Sequence, residues 1–126
     1  MAVASDQIDA LGAAHEVHIS TYRRDGTRRA SIPIWVVRVG NELFARSAFG
    51  PEASWYRRAV EDNRLHLQVS GLELDTTLET IADDATNADV DAGYQAKYAG
   101  GGSALNTMVA TPARETTVKL IVEEGK

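Results

Sequence analysis

Four arginines crowd the segment Arg23-Arg24-Asp25-Gly26-Thr27-Arg28-Arg29, two on each side of an Asp-Gly pair. Asp-Gly is a strong hairpin-turn signal, because glycine accepts the positive φ at which an antiparallel chain reverses. A turn there brings four planar guanidinium forks to one tip, a donor set suited to gripping a phosphate or carboxylate. On a solvated tip the same charges would only repel one another and bind nothing. A second group, Trp55, Tyr56, Arg57 and Arg58, follows the Gly50-Pro51 break. Its rings could border a ring-shaped ligand, or serve as core at helical spacing.

Other chemistries lack their carriers. The sequence holds no Gly-x-Ser-x-Gly elbow, no phosphate-binding P-loop and no His-Glu-x-x-His, which removes serine hydrolase, nucleotide hydrolase and zinc protease readings. His15 and His18 are three apart on an expected strand, so they face opposite ways and cannot share a metal. His66 stands alone, without a second candidate ligand. Asp83, Asp84, Asp89 and Asp91 gather at an expected helix start, where the helix dipole favours acids without any metal. Gly100 to Gly102 follows a helix rather than a strand, the wrong context for a dinucleotide fingerprint. There is no cysteine in 126 residues, which excludes disulfides, cysteine-ligated zinc, iron–sulfur clusters and thiol nucleophiles and points to a reducing cytoplasm.

With 13 basic and 18 acidic residues the net charge is -5, opposed to the basic footprint of a nucleic-acid binder. No apolar run approaches the ~18 residues of a membrane span, and the N-terminus has no basic, apolar leader. A soluble, unprocessed chain with neither nucleic acid nor membrane as partner is expected. Charge is nevertheless segregated. Residues 21–64 carry nine arginines against five acids, whereas residues 73–94 carry seven acids and no base. One part of the surface is therefore basic, and a genome that favours arginine codons would also produce the arginine excess.

The elements that position these groups follow from periodicity. Ser5 caps a short opening helix that stops near Gly12. Val17, Ile19 and Thr21 alternate with polar residues as a half-buried strand does. Ala30 to Val39 reads as one long apolar strand, with Pro33 at a bulge or an edge because proline offers the ladder no donor. Glu42 to Ala48 makes a third strand, and a crossing helix with Ala53, Tyr56 and Val60 on its stripe follows. Arg64 to Ser70 and Leu74 to Thr80 form a hairpin. Thr86 or Asn87 caps a helix with Val90, Tyr94 and Tyr98 on one stripe, the three glycines form a loop, and Thr116 to Val122 is the last strand. No strand–helix–strand alternation repeats, so the expected fold is mainly β within the α+β class. It is a small barrel of six antiparallel strands with short flanking helices, in a single domain over residues 1–126.

The order of residues from Thr21 to Val122 resembles the split-barrel proteins related to pyridoxamine-phosphate oxidase, especially the deazaflavin-dependent nitroreductase branch. The segments Ile34-Trp35-Val36-Val37, Glu42 to Ser47, Ser54 to Ala59, Asp91 to Gly100 and Thr116 to Leu120 are similar, more narrowly, to an uncharacterised bacterial family within that group. The resemblance implies a six-stranded antiparallel split β-barrel, commonly dimeric, that holds a flavin (FMN) or an F420-type deazaflavin at its edge. The hairpin that grips cofactor phosphate falls on Arg23, Arg24 and Gly26, with Arg28 beside it. The Ser-Lys-Gly-Gly segment of that branch falls on Ser47, Ala48, Phe49 and Gly50, so its lysine is absent. The Trp-Tyr pair and following Asn fall on Trp55, Tyr56 and Arg58, so the Asn is absent too. Arg46, Arg57 and Arg58 are the available substitutes.

Two readings remain open. In one, a flavin or deazaflavin carries hydride chemistry, Arg23, Arg24 and Arg28 hold its phosphate, Ser47 and the backbone near Gly50 approach it, and Trp55 borders its ring. In the other, a cofactor-free barrel binds or transforms a small organic molecule with its own donors, Tyr22, His66 and Tyr94. A homodimer is expected in either case. Ile32, Ile34, Val36 and Val37 make their strand apolar on both faces, and the outer face needs cover from a helix or a second subunit.

Overall fold

Alternating apolar and polar residues, interrupted by turn formers, give a sheet of seven short strands with helices on its outside. The structure is a computed structural model that describes the backbone of residues 2–122 and the side chains of residues 7–122. Helix α1 (Ala2–Ala13) leads into β1 (Val17–Ser20), β2 (Ile32–Ile34), β3 (Val36–Val39) and β4 (Glu42–Ala45). A single 3-10 turn, Gly50–Glu52, precedes α2 (Ser54–Asp62), and the hairpin β5 (Leu65–Val69) and β6 (Leu72–Thr80) follows. Then come α3 (Asp84–Lys97), α4 (Gly102–Val109), α5 (Thr111–Arg114) and β7 (Val118–Val122). No helix among the described residues is long and apolar enough to cross a membrane.

The strands pair in the order β2-β1-β5-β6-β7-β4-β3, every neighbour antiparallel. β2 and β3 stand at opposite ends of that order, yet only Trp35 separates them in the chain. The sheet must therefore curl until its two edges nearly meet, and the result is an antiparallel, nearly closed barrel. The sequence predicts six strands where the structure has seven, because the run from Ala30 to Val39 is cut at Trp35 and its halves pair with different partners, β1 and β4. Pro33 lies opposite His18 on the edge strand β2, a place where a missing donor costs no ladder bond.

Inward-facing residues fill the barrel. Leu11, Val17, Ile19, Val36, Leu43, Leu65, Leu67, Val118 and Leu120 form one cluster, sealed by Ala59 of α2. A second cluster lies outside, where Val37 and Phe44 meet Val90, Tyr94 and Tyr98 of α3 and Met108 of α4. The apolar outer face of β3 is thus covered by helices of the same chain, and the stripe predicted for α3 is the buried one. The crossing helix buries Ala59 and half-buries Trp55 and Tyr56 against the barrel; of the expected stripe Ala53 and Tyr56 are half-buried and Val60 is exposed.

Asp83, not Thr86 or Asn87, caps α3 by accepting the Thr86 amide at 2.8 Å. Helices α4 and α5 replace the loop expected after the glycines. Leu105 and Met108 join the outer cluster, so tertiary burial overrides the weak local helix propensity of a stretch that opens on glycine.

Candidate functional site

The basic hairpin is a built tip. Tyr22 bridges Arg28, the Arg23 amide donates to the Thr27 carbonyl at 2.8 Å, and Gly26 reverses the chain at φ 90. Asp25 accepts from the Thr27 hydroxyl at 2.7 Å and the Thr27 amide at 3.0 Å, bonds that hold its carboxyl below the usual range. One arginine of the tip is already used, since the Arg23 guanidinium donates to the Arg28 carbonyl at 2.8 Å.

Between this tip and α2 lies a cleft of about 550 Å³, lined by Tyr22, Arg23, Arg24, Arg29, Arg58 and Arg64, with Glu61 and Asp62 on its helical side. Arg24 and Arg58 have no ion-pair partner among the described residues. The Arg29 Nε is buried with no hydrogen-bond partner, a donor whose desolvation is uncompensated inside the protein. Arg64 is held by Asp75 at 3.0 Å and stacks 3.6 Å above the Tyr22 ring. This fifth arginine of the cleft was invisible in the hairpin motif, because strand pairing alone brings it there.

At the N-terminal end of α2 runs an apolar groove of about 740 Å³. Ile32, Pro33, Ile34 and Trp35 form one wall, Trp55 another, and Phe49 and Met108 complete it. Trp35 stacks on Tyr98 at 3.9 Å between ring centres with the ring planes nearly parallel, which fixes its ring. Trp55 packs edge-on against Tyr56. Trp55 and Arg58 are one helical turn apart, so α2 is the wall common to cleft and groove.

The predicted residues therefore separate. Arg23, Arg24 and Arg58 come together at the cleft, and Trp55 lines the groove. Arg28 turns away to Glu73 and His66. Arg46 touches the groove, but its guanidinium is 1% exposed and all five of its N–H donors are engaged, by the Thr117 hydroxyl, Asp91, the Met108 carbonyl and both oxygens of Asn87. Ser47 and Gly50 flank the lining pair Ala48 and Phe49. The Ser47 hydroxyl is buried without a partner, and Gly50 sits at φ 76 where an added Cβ would meet Pro112 at 3.3 Å.

His66 forms a polar cluster on β5 and β6 that meets the cleft through Tyr22 and Arg64. Its ring nitrogens lie 3.1 Å from Asp75 and 3.1 Å from Glu73, and the Tyr22 hydroxyl donates to Asp75 at 2.6 Å. Burial pushes the Asp75 carboxyl up, but hydrogen bonds from Tyr22, Arg64 and His66 together outweigh it and hold the group below its usual range. Glu73 is lowered by its bonds from His66 and Arg28. Tyr94, the third donor considered, is fully buried and donates to the Trp35 carbonyl at 2.9 Å, out of a ligand's reach. The acids near α3 hold no metal arrangement among the described residues; Asp91 serves Arg46 and Arg114.

Residues 7–120 match a family model described as an uncharacterized protein conserved in bacteria (DUF2255). No curated protein matches the chain. Among solved structures it is similar to the FAD and heme binding protein from Mycobacterium smegmatis, with 24% identity and a TM-score of 0.62, over 91% of this chain and 63% of that one. It is similar to HutZ, the heme storage protein from Vibrio cholerae, with 11% identity and a TM-score of 0.68, over 95% and 89% of the two chains. An F420-H2 dependent reductase (FDR-A) shares 14% identity and a TM-score of 0.60, over 84% and 93%. At these identities the likeness is one of fold. The neighbours are split-barrel proteins of the pyridoxamine-phosphate-oxidase type, F420-dependent reductases and flavin-binding proteins among them.

Proposed function

We propose, from the premise that this chain belongs to the DUF2255 family, that it binds a flavin-type cofactor, FMN or an F420-type deazaflavin, and works as a small-molecule oxidoreductase. The observation that carries this reading is the common wall: α2 presents Trp55 to an aromatic groove and Arg58 to an arginine cleft one turn away. A ligand that joins a flat apolar ring system to a phosphate suits that pair of surfaces. The residues fit such a group, since Arg24 and Arg58 are unpaired among the described residues and the Arg29 Nε is an orphaned donor at the same cleft. Arg23, Arg24, Arg29 and Arg58 would hold the phosphate. Trp35, Trp55 and Met108 would orient the ring and exclude water. Arg58 then takes the place of the missing amide, whereas Arg46 has no donor to offer. A bound flavin or deazaflavin supplies hydride transfer, and the chain binds, orients and shields it.

The name of the reductase neighbour, F420-H2 dependent, and that of the Mycobacterium smegmatis protein, FAD and heme binding, support the class of ligand. The expected result is a thermal shift of about 10 °C at 100 times the dissociation constant of FMN or the deazaflavin, equivalent to about 2.7 kcal/mol. No shift with either cofactor at millimolar concentration would overturn the reading. It would leave the cofactor-free barrel, which the Tyr22–Asp75–His66 chain favours through its pairing of a phenol and an imidazole across one carboxylate.

We place the protein in the cytoplasm, in keeping with its lack of cysteine, and we infer a homodimer. Phe49 is 86% exposed and Ile32 40% exposed at the mouth of the groove, and a second copy seated there would cover both and narrow the groove. A dimeric mass by light scattering at micromolar concentration is expected, reverting to monomer in Phe49→Glu; a monomeric parent would overturn it.

A further inference from the structure

The chain has three lysines, Lys97, Lys119 and Lys126, and the structure treats the first two in opposite ways. Lys119 projects from β7 between Glu42 at 3.1 Å and Glu79 at 3.5 Å. Both carboxylates favour its charged form, and its ammonium is held above the ordinary range by the Glu42 bond first. Lys97 stands in the last turn of α3, where that helix packs on the edge strand β3. It makes no ion pair among the described residues. Its Nζ donates to the Val36 carbonyl and lies 5.1 Å from the centre of the Tyr98 ring. The residue is half-buried.

The surroundings supply little charge to hold a proton there. The Tyr98 phenol is pushed up by burial and stays neutral. Its hydroxyl donates to the His15 carbonyl at 2.7 Å and shares the Val36 carbonyl with Lys97, so His15 and Glu16 are the titratable residues at that end of the ring, and Glu16 makes no ion pair with Lys97 among the described residues. Arg38, the charged side chain of β3, reaches away from α3 to Asp9 and Asn41. Helix α4, packed against α3, carries no titratable side chain.

We propose that Lys97 is an acyl-accepting site for small activated acyl donors, acyl phosphates and thioesters, because its amine is half withdrawn from water, makes no ion pair among the described residues and donates to a backbone carbonyl. Burial brings its proton affinity down to about 8, so at neutral pH about a tenth of the molecules present a free amine, far more than an ordinary lysine does. The neutral nitrogen attacks the acyl carbonyl, a C–N bond forms, the C–O bond to phosphate or the C–S bond to the thiol breaks, and the surplus amine proton passes to water. The amide produced keeps one N–H, and that donor can still hold the Val36 carbonyl. The fold accommodates the product without orphaning the edge of β3.

The test is incubation of the folded protein with acetyl phosphate, with peptide mass spectrometry at Lys97 and Lys119. At pH 7 acetylation of Lys97 is expected to run at least tenfold faster than that of Lys119, the ratio narrowing as pH rises towards 10. In concentrated urea, where the environment of both is lost, the ratio is expected to fall close to one. Equal rates at pH 7, a ratio insensitive to pH, or a preference that persists in urea would each overturn the assignment.

Discussion

An Arg46→Ala variant is expected to unfold at least 10 °C below the parent in calorimetry. The guanidinium is 1% exposed and its five N–H groups bind Thr117, Asp91, Met108 and Asn87, so that β4 is tied to the α3 helix, the end of α4 and the start of β7. Truncation leaves the Asp91 carboxylate with Arg114 alone and strands several acceptors in a space too dry for bulk water. Breaking a buried pair in this way costs about 3–5 kcal/mol, and each kcal/mol lowers the midpoint of a domain of this size by roughly 3–4 °C. Arg46→Lys keeps the charge and loses the fork, so it should fall between the two. A midpoint within 3 °C of the parent would show that the five bonds are worth no more than their hydration.

Replacing Arg23 and Arg24 together by alanine is expected to do the reverse, weakening FMN or deazaflavin binding at least tenfold with little change in stability. Each charge-assisted bond to a phosphate contributes about 1.5–3 kcal/mol, and a loss of 1.4 kcal/mol is already tenfold. Both side chains are exposed at the hairpin tip, and although the Arg23 guanidinium's bonds to Thr27 and the Arg28 carbonyl are lost, the turn keeps its backbone bonds and those of Asp25 to Thr27. Titration calorimetry of the variant and parent at low salt measures it. Equal affinities would take the phosphate off the hairpin.

Strand identity was legible because it is a local property. Val17 with Ile19, Leu65 with Leu67, and Val118 with Leu120 announce the buried face of β1, β5 and β7 at period two, and Val90, Tyr94 and Tyr98 do the same for α3 at helical period. The break at Trp35 was not legible, since Ile34-Trp35-Val36 is a continuous apolar run. Only closure of the sheet forces the chain to leave one edge and join the other. The site shows the same division. Residue type marked the arginines at 23, 24 and 58 as phosphate donors, and hairpin and helix bring those together. Nothing in the type of Arg46 told it apart, because the Asp91 and Asn87 that engage it come from a helix some forty positions later. Arg64 and Trp35 enter the site through strand pairing, which no spacing encodes. The helix after the glycines was hidden because its stability comes from the contacts of Leu105 and Met108 with the outer cluster rather than from its own sequence.

The place of β7 between β6 and β4 sets the order in which the barrel can be assembled as the chain leaves the ribosome. Until Val118–Val122 has emerged, β2, β1, β5 and β6 can form one patch of sheet and β4 with β3 another, joined by Trp35 and by the segment that carries α2. The inner ladders of β6 and β4 stay unpaired in that interval, two long open edges of the kind that recruit other strands. The final described strand closes both at once, since Leu120 pairs with Leu78 on one side and Leu43 on the other. Because the pairing of Leu43 with Leu120 is strongly non-local, barrel closure is expected to be a late step of folding. A nascent chain that pauses short of residue 118 has its apolar staves made and its last seam open.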